Sequence, residues 1–188
     1  ADLDRTSIRR GDWLFSQTPP SPTDRITVQL DAETALNESQ PIHIYHAAAR
    51  TVGKLNLLTA KNLPAAQQAV AEVILDEPLF LAFGDKLILR SGDAKQLVGG
   101  AKVIEIHSPK RHKRAQVRLD FLQNLQQADT AAQRLALYLQ ERAVSAQHIA
   151  WTEQLTETQL NDILAQNNNV RYQNWCFNAD YQTQQTTK

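Results

Sequence analysis

The 188-residue sequence predicts a multidomain protein, a six-stranded antiparallel β-barrel followed by a small α+β winged-helix domain. Three observations predict it. Between Pro22 and Ile106, six short apolar or alternating stretches succeed one another across tight turns, with no helical run between them. After Ile106 the apolar spacing changes to that of helices. Beyond Asn169 two short apolar runs face each other across a turn, the pattern of a β-wing behind helices.

The elements follow in order. An Arg10-Gly11-Asp12 turn precedes Trp13-Leu14-Phe15, and Pro19-Pro20-Ser21-Pro22 forms a stiff connector, so residues 1–22 read as the end of a preceding barrel domain and its linker. The start at Ala1, the absence of methionine and the strand-like end at Phe15 make a piece of a longer protein the expectation. In the barrel, residues 23–108, Ile26–Leu30 and Pro41–Tyr45 alternate with period two, and Thr51–Leu58 follows a turn at Ala47–Arg50. Val70–Leu81, Leu87–Leu89 and Leu97–Ile106 complete the six, separated by Phe83-Gly84-Asp85 and Ser91-Gly92-Asp93. Gly99-Gly100 inside the last strand marks a bulge or the close approach of another backbone or a ligand.

The second domain spans residues 109–181. Val117, Phe121, Leu122 and Leu125 define a connector helix, and Leu135, Tyr138 and Leu139 a second. Ser145 caps a short helix through Trp151, and Thr156 with Gln159 forms a capping box before Leu160, Ile163 and Leu164. Asn167-Asn168-Asn169 stops that helix, and Val170–Tyr172 pairs with Trp175–Phe177 around Gln173-Asn174. Trp13, Trp151 and Trp175 sit in apolar contexts that predict core positions. The tail, residues 182–188, has no apolar residue and reads as disordered.

Composition narrows the function. Cys176 is the single cysteine, which removes any intrachain disulfide and fits a reducing compartment. No signal-like segment and no apolar run of spanning length is present, so a cytoplasmic protein without a membrane partner is expected. Neither a Gly-x-x-x-x-Gly-Lys-Ser/Thr loop nor a Gly-x-Gly-x-x-Gly motif occurs, so no nucleotide site, no cofactor and no catalytic activity are expected of this chain. His43 and His46 fall on opposite faces of one strand and do not converge on a metal. Net charge is zero, yet residues 102–118 hold six basic residues against one acidic. Lys102, Lys110, Arg111, Lys113, Arg114 and Arg118 therefore form either a phosphate-binding stripe or a solvated linker. The helix from Glu157 to Gln166 has no lysine or arginine and is poorly suited to bind nucleic acid by itself.

Several stretches resemble bacterial selenocysteine-specific elongation factors. They are Arg10–Leu14, His43–Ala49 with Val52-Gly53, Leu75–Leu79, Asp85–Arg90, Gly99–Val103 and Pro109–Arg114. Ala143–Ser145, Ile149–Trp151 and Gln154-Leu155 are similar to that family's first winged helix. More distantly, the barrel is similar to the third domain of elongation factor Tu, whose arginine and glycine-bearing strands lie against the tRNA T stem. The resemblance implies a translation factor that carries selenocysteinyl-tRNA to the ribosome at recoded UGA codons, with GTP and magnesium bound by a GTPase domain outside this chain. Later winged helices, also outside it, would grip the mRNA hairpin. It implies tRNA contacts at Arg90, Gly99, Gly100, Lys102, Lys110, Arg111, Lys113 and Arg114. The alternative from another class is a transcriptional regulator with a DNA-binding winged helix and a ligand-sensing barrel, which the acidic helix disfavours.

Overall fold

A computed structural model of the chain describes residues 10–15 and 19–178, which fall into two compact units dividing between Arg114 and Ala115. Most of the expected end of a preceding domain, and the whole expected tail at 182–188, lie outside the described residues.

The first unit contains β1 (Thr23–Ala32), β2 (Leu36–Asn37), β3 (Ser39–His46), β4 (Ala49–Leu57), β5 (Asn62–Leu63), β6 (Gln68–Leu79), β7 (Lys86–Ser91) and β8 (Leu97–Ile106). Six of these, in the order β1-β6-β4-β3-β7-β8, close into a barrel in which every neighbouring pair is antiparallel. Closure leaves no unpaired edge to recruit another chain. These are the six expected strands. The ribbon of β2 and β5, with Leu36 opposite Leu63, is additional, because two residues are too few to show a period.

Period-two alternation sends Ile26, Val28 and Leu30 of β1, Ile42 and Ile44 of β3, and Leu87 and Leu89 of β7 into the barrel, where all are buried. Each contributes roughly 1.5–3 kcal/mol of transfer free energy. β6 ends at Leu79, short of the expected Leu81, and its register against β1 slips between Ile74 and Leu79. Pro78 lies in that slip, where a missing N–H sacrifices no ladder bond. Gly53 lets β4 pass β6, since a Cβ there would sit 2.0 Å from the Ile74 carbonyl oxygen.

After β8 the chain stays on the barrel. His107, at φ 55°, turns the backbone, and its amide donates to Thr23 Oγ1 at 3.1 Å. Ser108 is buried; its amide donates to the Arg25 carbonyl at 3.1 Å, and its hydroxyl lies 2.7 Å from that of Thr27. His112, at φ 54°, makes a second turn before Lys113 and Arg114. Histidine tolerates this left-handed region better than most residues. The stretch expected as a polar linker is thus a strap across the barrel wall, and the expected boundary after Ser108 falls inside it.

The second unit has α1 (Gln116–Gln127), α2 (Ala131–Glu141), β9 (Val144–Ser145), α3 (Ala146–Thr152), α4 (Glu157–Gln166), β10 (Asn169–Tyr172) and β11 (Trp175–Asn178), with the sheet ordered β10-β11-β9. This is the winged helix. Thr156 and Gln159 form the expected capping box, and Thr130 with Gln133 forms another. Ser145 accepts from the His148 amide and so caps α3 as expected. Phe121, Leu122, Leu125, Leu135, Tyr138, Leu139, Ile149, Leu160 and Cys176 make the core. Within it Arg134 meets the carboxylate of Glu153 through Nε and Nη2, the latter at 2.7 Å, fixing α2 to the end of α3. The core positions expected for the tryptophans are not observed: Trp175, on the outer side of β11, is 53% exposed. Trp151 is only half-buried, and Trp13, although stacked on His46 at 5.8 Å between ring centroids, is 43% exposed.

Candidate nucleic-acid interface

The register of β4, β3, β7 and β8 assembles one outward surface. Arg50 lies opposite Tyr45, Tyr45 opposite Ile88, and Ile88 opposite Gly100. Beside this row runs another, Val52, His43, Arg90 and Leu97, and on its other side Lys86 faces Lys102. Val52, Ile88 and Leu97 are exposed apolar residues among exposed Arg50, Arg90, Lys86 and Lys102. Like charges directly opposite each other in a sheet are destabilising, and Lys86 and Lys102, both exposed, place two such charges side by side. Lys102 Nζ also lies 5.4 Å from the centre of the Phe83 ring, which orients it without neutralising it.

His43 organises the middle of this face. Arg50 Nη2 is 3.2 Å from His43 Nδ1, and His43 Nε2 is 3.2 Å from the Gly92 carbonyl. Arg50 can only donate, so Nδ1 accepts from it and Nε2–H donates to the carbonyl. The guanidinium is also 5.7 Å from the Tyr45 ring centre. His46 points the other way, into the barrel, 3.4 Å from Asp85 Oδ2. Among the described residues no group of three or more His, Cys, Asp or Glu side chains is placed to hold a metal ion.

The glycine pair divides. A Cβ on Gly99 would lie 2.1 Å from the Asp31 carbonyl oxygen of neighbouring β1, whereas one on Gly100 would meet nothing within 4 Å. The close approach expected at this pair is made at Gly99 by the barrel's own backbone. Gly100 alone is open on the outer face.

The strap forms the second basic group. Glu72 of β6 points outward yet is 1% exposed, held by Arg25 Nη1 at 2.7 Å, Asn56 Nδ2 at 2.9 Å and Lys113 Nζ at 2.5 Å. Burial alone would raise the Glu72 pKa, but the hydrogen bonds from Lys113, Arg25 and Asn56 and the Lys113 charge outweigh it and hold the carboxyl below its ordinary range. Arg114 Nη2 donates to the Leu57 carbonyl at 2.9 Å and pairs with Glu38 at 2.6 Å. Lys110 and Arg111, between the two turns, are exposed and have no ion-pair partner among the described residues.

Of the eight candidates, Arg90, Gly100 and Lys102 share the β7–β8 face, Lys110 and Arg111 project from the strap, Lys113 and Arg114 are tied to carboxylates, and Gly99 is internal. Arg50, Lys86 and the anchoring Glu72 went unnoticed in the sequence. Alternation in Lys86-Leu87-Ile88-Leu89-Arg90 carried the signal for the face, and a lone carboxylate in the apolar run from Ala69 to Leu75 carried the signal for Glu72. In the second unit, Arg171 of β10 donates to Glu157 and Asn161 of α4, so a wing cation already serves the acidic helix.

Two family models match in succession, the "Selenocysteine-specific elongation factor, beta-barrel domain" over residues 23–110 and the "Selenocysteine-specific elongation factor, winged helix 1/3" over residues 116–163. The chain belongs to the selenocysteine-specific elongation factor family. It is 61% identical over 186 residues to the selenocysteine-specific elongation factor of Haemophilus influenzae, which covers 99% of this chain and 30% of the relative. To the Escherichia coli selenocysteine-specific elongation factor it is 36% identical over 165 residues, 88% of this chain and 26% of the relative. It therefore spans less than a third of the curated relatives it matches. The fold is similar to the crystal structure of a bacterial selenocysteine-specific elongation factor, EF-Sec, with a TM-score of 0.60 at 14% identity over 87% of this chain and 25% of that one. No helix among the described residues is long and apolar enough to cross a membrane.

Proposed function

We propose that this chain is the tRNA-supporting barrel and a spacing winged helix of a cytoplasmic factor that delivers selenocysteinyl-tRNA to the ribosome at recoded UGA codons. GTP and magnesium would be handled by a GTPase domain, and the mRNA hairpin by further winged helices, none of them in this chain. The observation that carries the reading is the outward face on which Lys86 and Lys102 stand side by side next to the open Gly100. Cations there neutralise phosphate, exposed apolar residues tolerate ribose, and no side-chain set for reading bases is needed to hold a stem. The acidic α4, whose Glu157 already engages Arg171, suits a spacer better than a DNA reader.

The test is titration of the full-length protein with a selenocysteine tRNA transcript across a salt series. Replacing Lys86, Arg90 and Lys102 with alanine should weaken binding and lower the slope of log affinity against log salt by roughly 0.7–0.9 for each lost phosphate contact. Affinity for the mRNA hairpin should stay unchanged. Unaltered tRNA binding by the triple variant would overturn the reading.

A further inference from the structure

We infer that the strap Ser108–Arg114 is a preformed hook for RNA phosphate, in which Lys110 and Arg111 make the contacts while Lys113 and Arg114 hold the loop in shape through Glu72 and Glu38. The inference rests on the tRNA reading above and adds a division of labour within the basic segment.

Four observations carry it. Both ends of the strap are fixed to the barrel, at one end by Ser108 on Thr27 and the Arg25 carbonyl, at the other by Lys113 on Glu72 and Arg114 on Glu38 and the Leu57 carbonyl. Left-handed turns at His107 and His112 bracket the projecting residues. Lys110 and Arg111 are exposed and without an ion-pair partner among the described residues, whereas the ammonium of Lys113 is committed to a carboxylate that is 1% exposed. Finally, Glu72 belongs to a continuous row across the strands, Glu105, Thr27, Glu72, Asn56 and Ser39, of which Glu105, Thr27, Glu72 and Asn56 are buried. A strap anchored in this way is held whether or not RNA is present, so the backbone that carries Lys110 and Arg111 is already in place before binding.

This arrangement makes a prediction opposite in sign to plain electrostatics. Glu72→Gln removes a negative charge from the protein, which by itself favours RNA; on the hook reading it frees Lys113, loosens the strap and weakens tRNA binding about tenfold. Glu38→Gln, at a surface pair whose loss leaves the barrel folded, should weaken binding in the same direction by a smaller factor. In the full-length protein titrated with a selenocysteine tRNA transcript, Lys110→Ala with Arg111→Ala should lower the salt slope by about 1.4–1.8. Lys113→Ala with Arg114→Ala should reduce affinity with the slope nearly unchanged. Hydrogen exchange at the Ser108 amide should quicken in the Glu72, Glu38 and Lys113/Arg114 variants and not in Lys110/Arg111. Should Glu72→Gln fail to fold, the Glu38 and Lys113/Arg114 variants decide by themselves. Tighter binding by Glu72→Gln, or equal loss of slope from the two double variants, would overturn the hook and leave the tRNA reading intact. An inert Lys110/Arg111 variant alongside a weakened Lys86/Arg90/Lys102 variant would do the same. If neither set alters binding, the tRNA reading itself falls.

Discussion

Gly99 and Asp31 approach so closely that a methyl group on Gly99 would lie 2.1 Å from the Asp31 carbonyl oxygen. The contact joins β8 to β1 and closes the barrel, so the glycine is required by the fold itself. Gly99→Ala should destabilise the protein by about 1–3 kcal/mol or more through overpacking against backbone that has little room to move. Gly100→Ala, in open space, should stay within roughly 0.5 kcal/mol of the parent. Urea denaturation of the two variants checks the contrast, and equal effects would contradict it.

The buried Glu72 carboxylate predicts a particular acid sensitivity. Its folded pKa lies below the ordinary value of 4.5, so the unfolded chain binds the proton more readily. The stability that Glu72 contributes is therefore complete above the ordinary carboxylate pKa and is lost as pH falls through the lower folded value. Glu72→Gln should flatten the decline in melting temperature below about pH 4.5, the ordinary value, while Asp24→Asn serves as an exposed control. A decline of unchanged steepness in Glu72→Gln would refute the assignment.

Truncation should locate the true end of the barrel. A chain ending at Arg114 keeps Lys113 on Glu72 and Ser108 on Thr27, and one ending at Ile106 loses both. The shorter chain should melt lower by several degrees, at roughly 4–8 °C for each kcal/mol lost in a domain of this size. Arg25 and Asn56 remain on Glu72, so the loss should fall below the ~3–5 kcal/mol typical of removing one partner of a buried ion pair. Identical melting of the two would mean that the strap does not stabilise the barrel.

In the winged helix the Arg134–Glu153 pair is buried, with the Glu153 side chain 2% exposed. Arg134→Met should destabilise this unit by about 3–5 kcal/mol, since it leaves a buried carboxylate without its counter-ion. Adding Glu153→Leu should restore much of the loss. Thermal melts of the single and double variants measure it, and a double variant no better than the single would show that the carboxylate was not the source.

Much of the fold was legible because its signals are local. The six strands show a two-residue period, Thr156 and Gln159 are three residues apart, and the β10–β11 turn sits between adjacent runs. The candidate site was legible only in part. Arg90, Gly100 and Lys102 were visible as residue types, but not that they share a face with Arg50 and Lys86, since that follows from the register of four strands. Trp175 looked like core because its neighbours are apolar; the pairing of β11 with β9 and β10 turns Cys176 inward and Trp175 out.

By itself the sequence determined the barrel, the winged helix and their order, because alternation, capping and turn chemistry act over two to four residues. Only the tertiary structure decided which basic residues are free. Lys113 and Glu72 are 41 residues apart, and nothing in the Pro109–Arg114 run distinguishes Lys113 from Lys110. The distinction arises when β6 carries its carboxylate to the barrel wall and the strap closes over it, since a charge removed from water must find its counter-ion wherever the fold brings one.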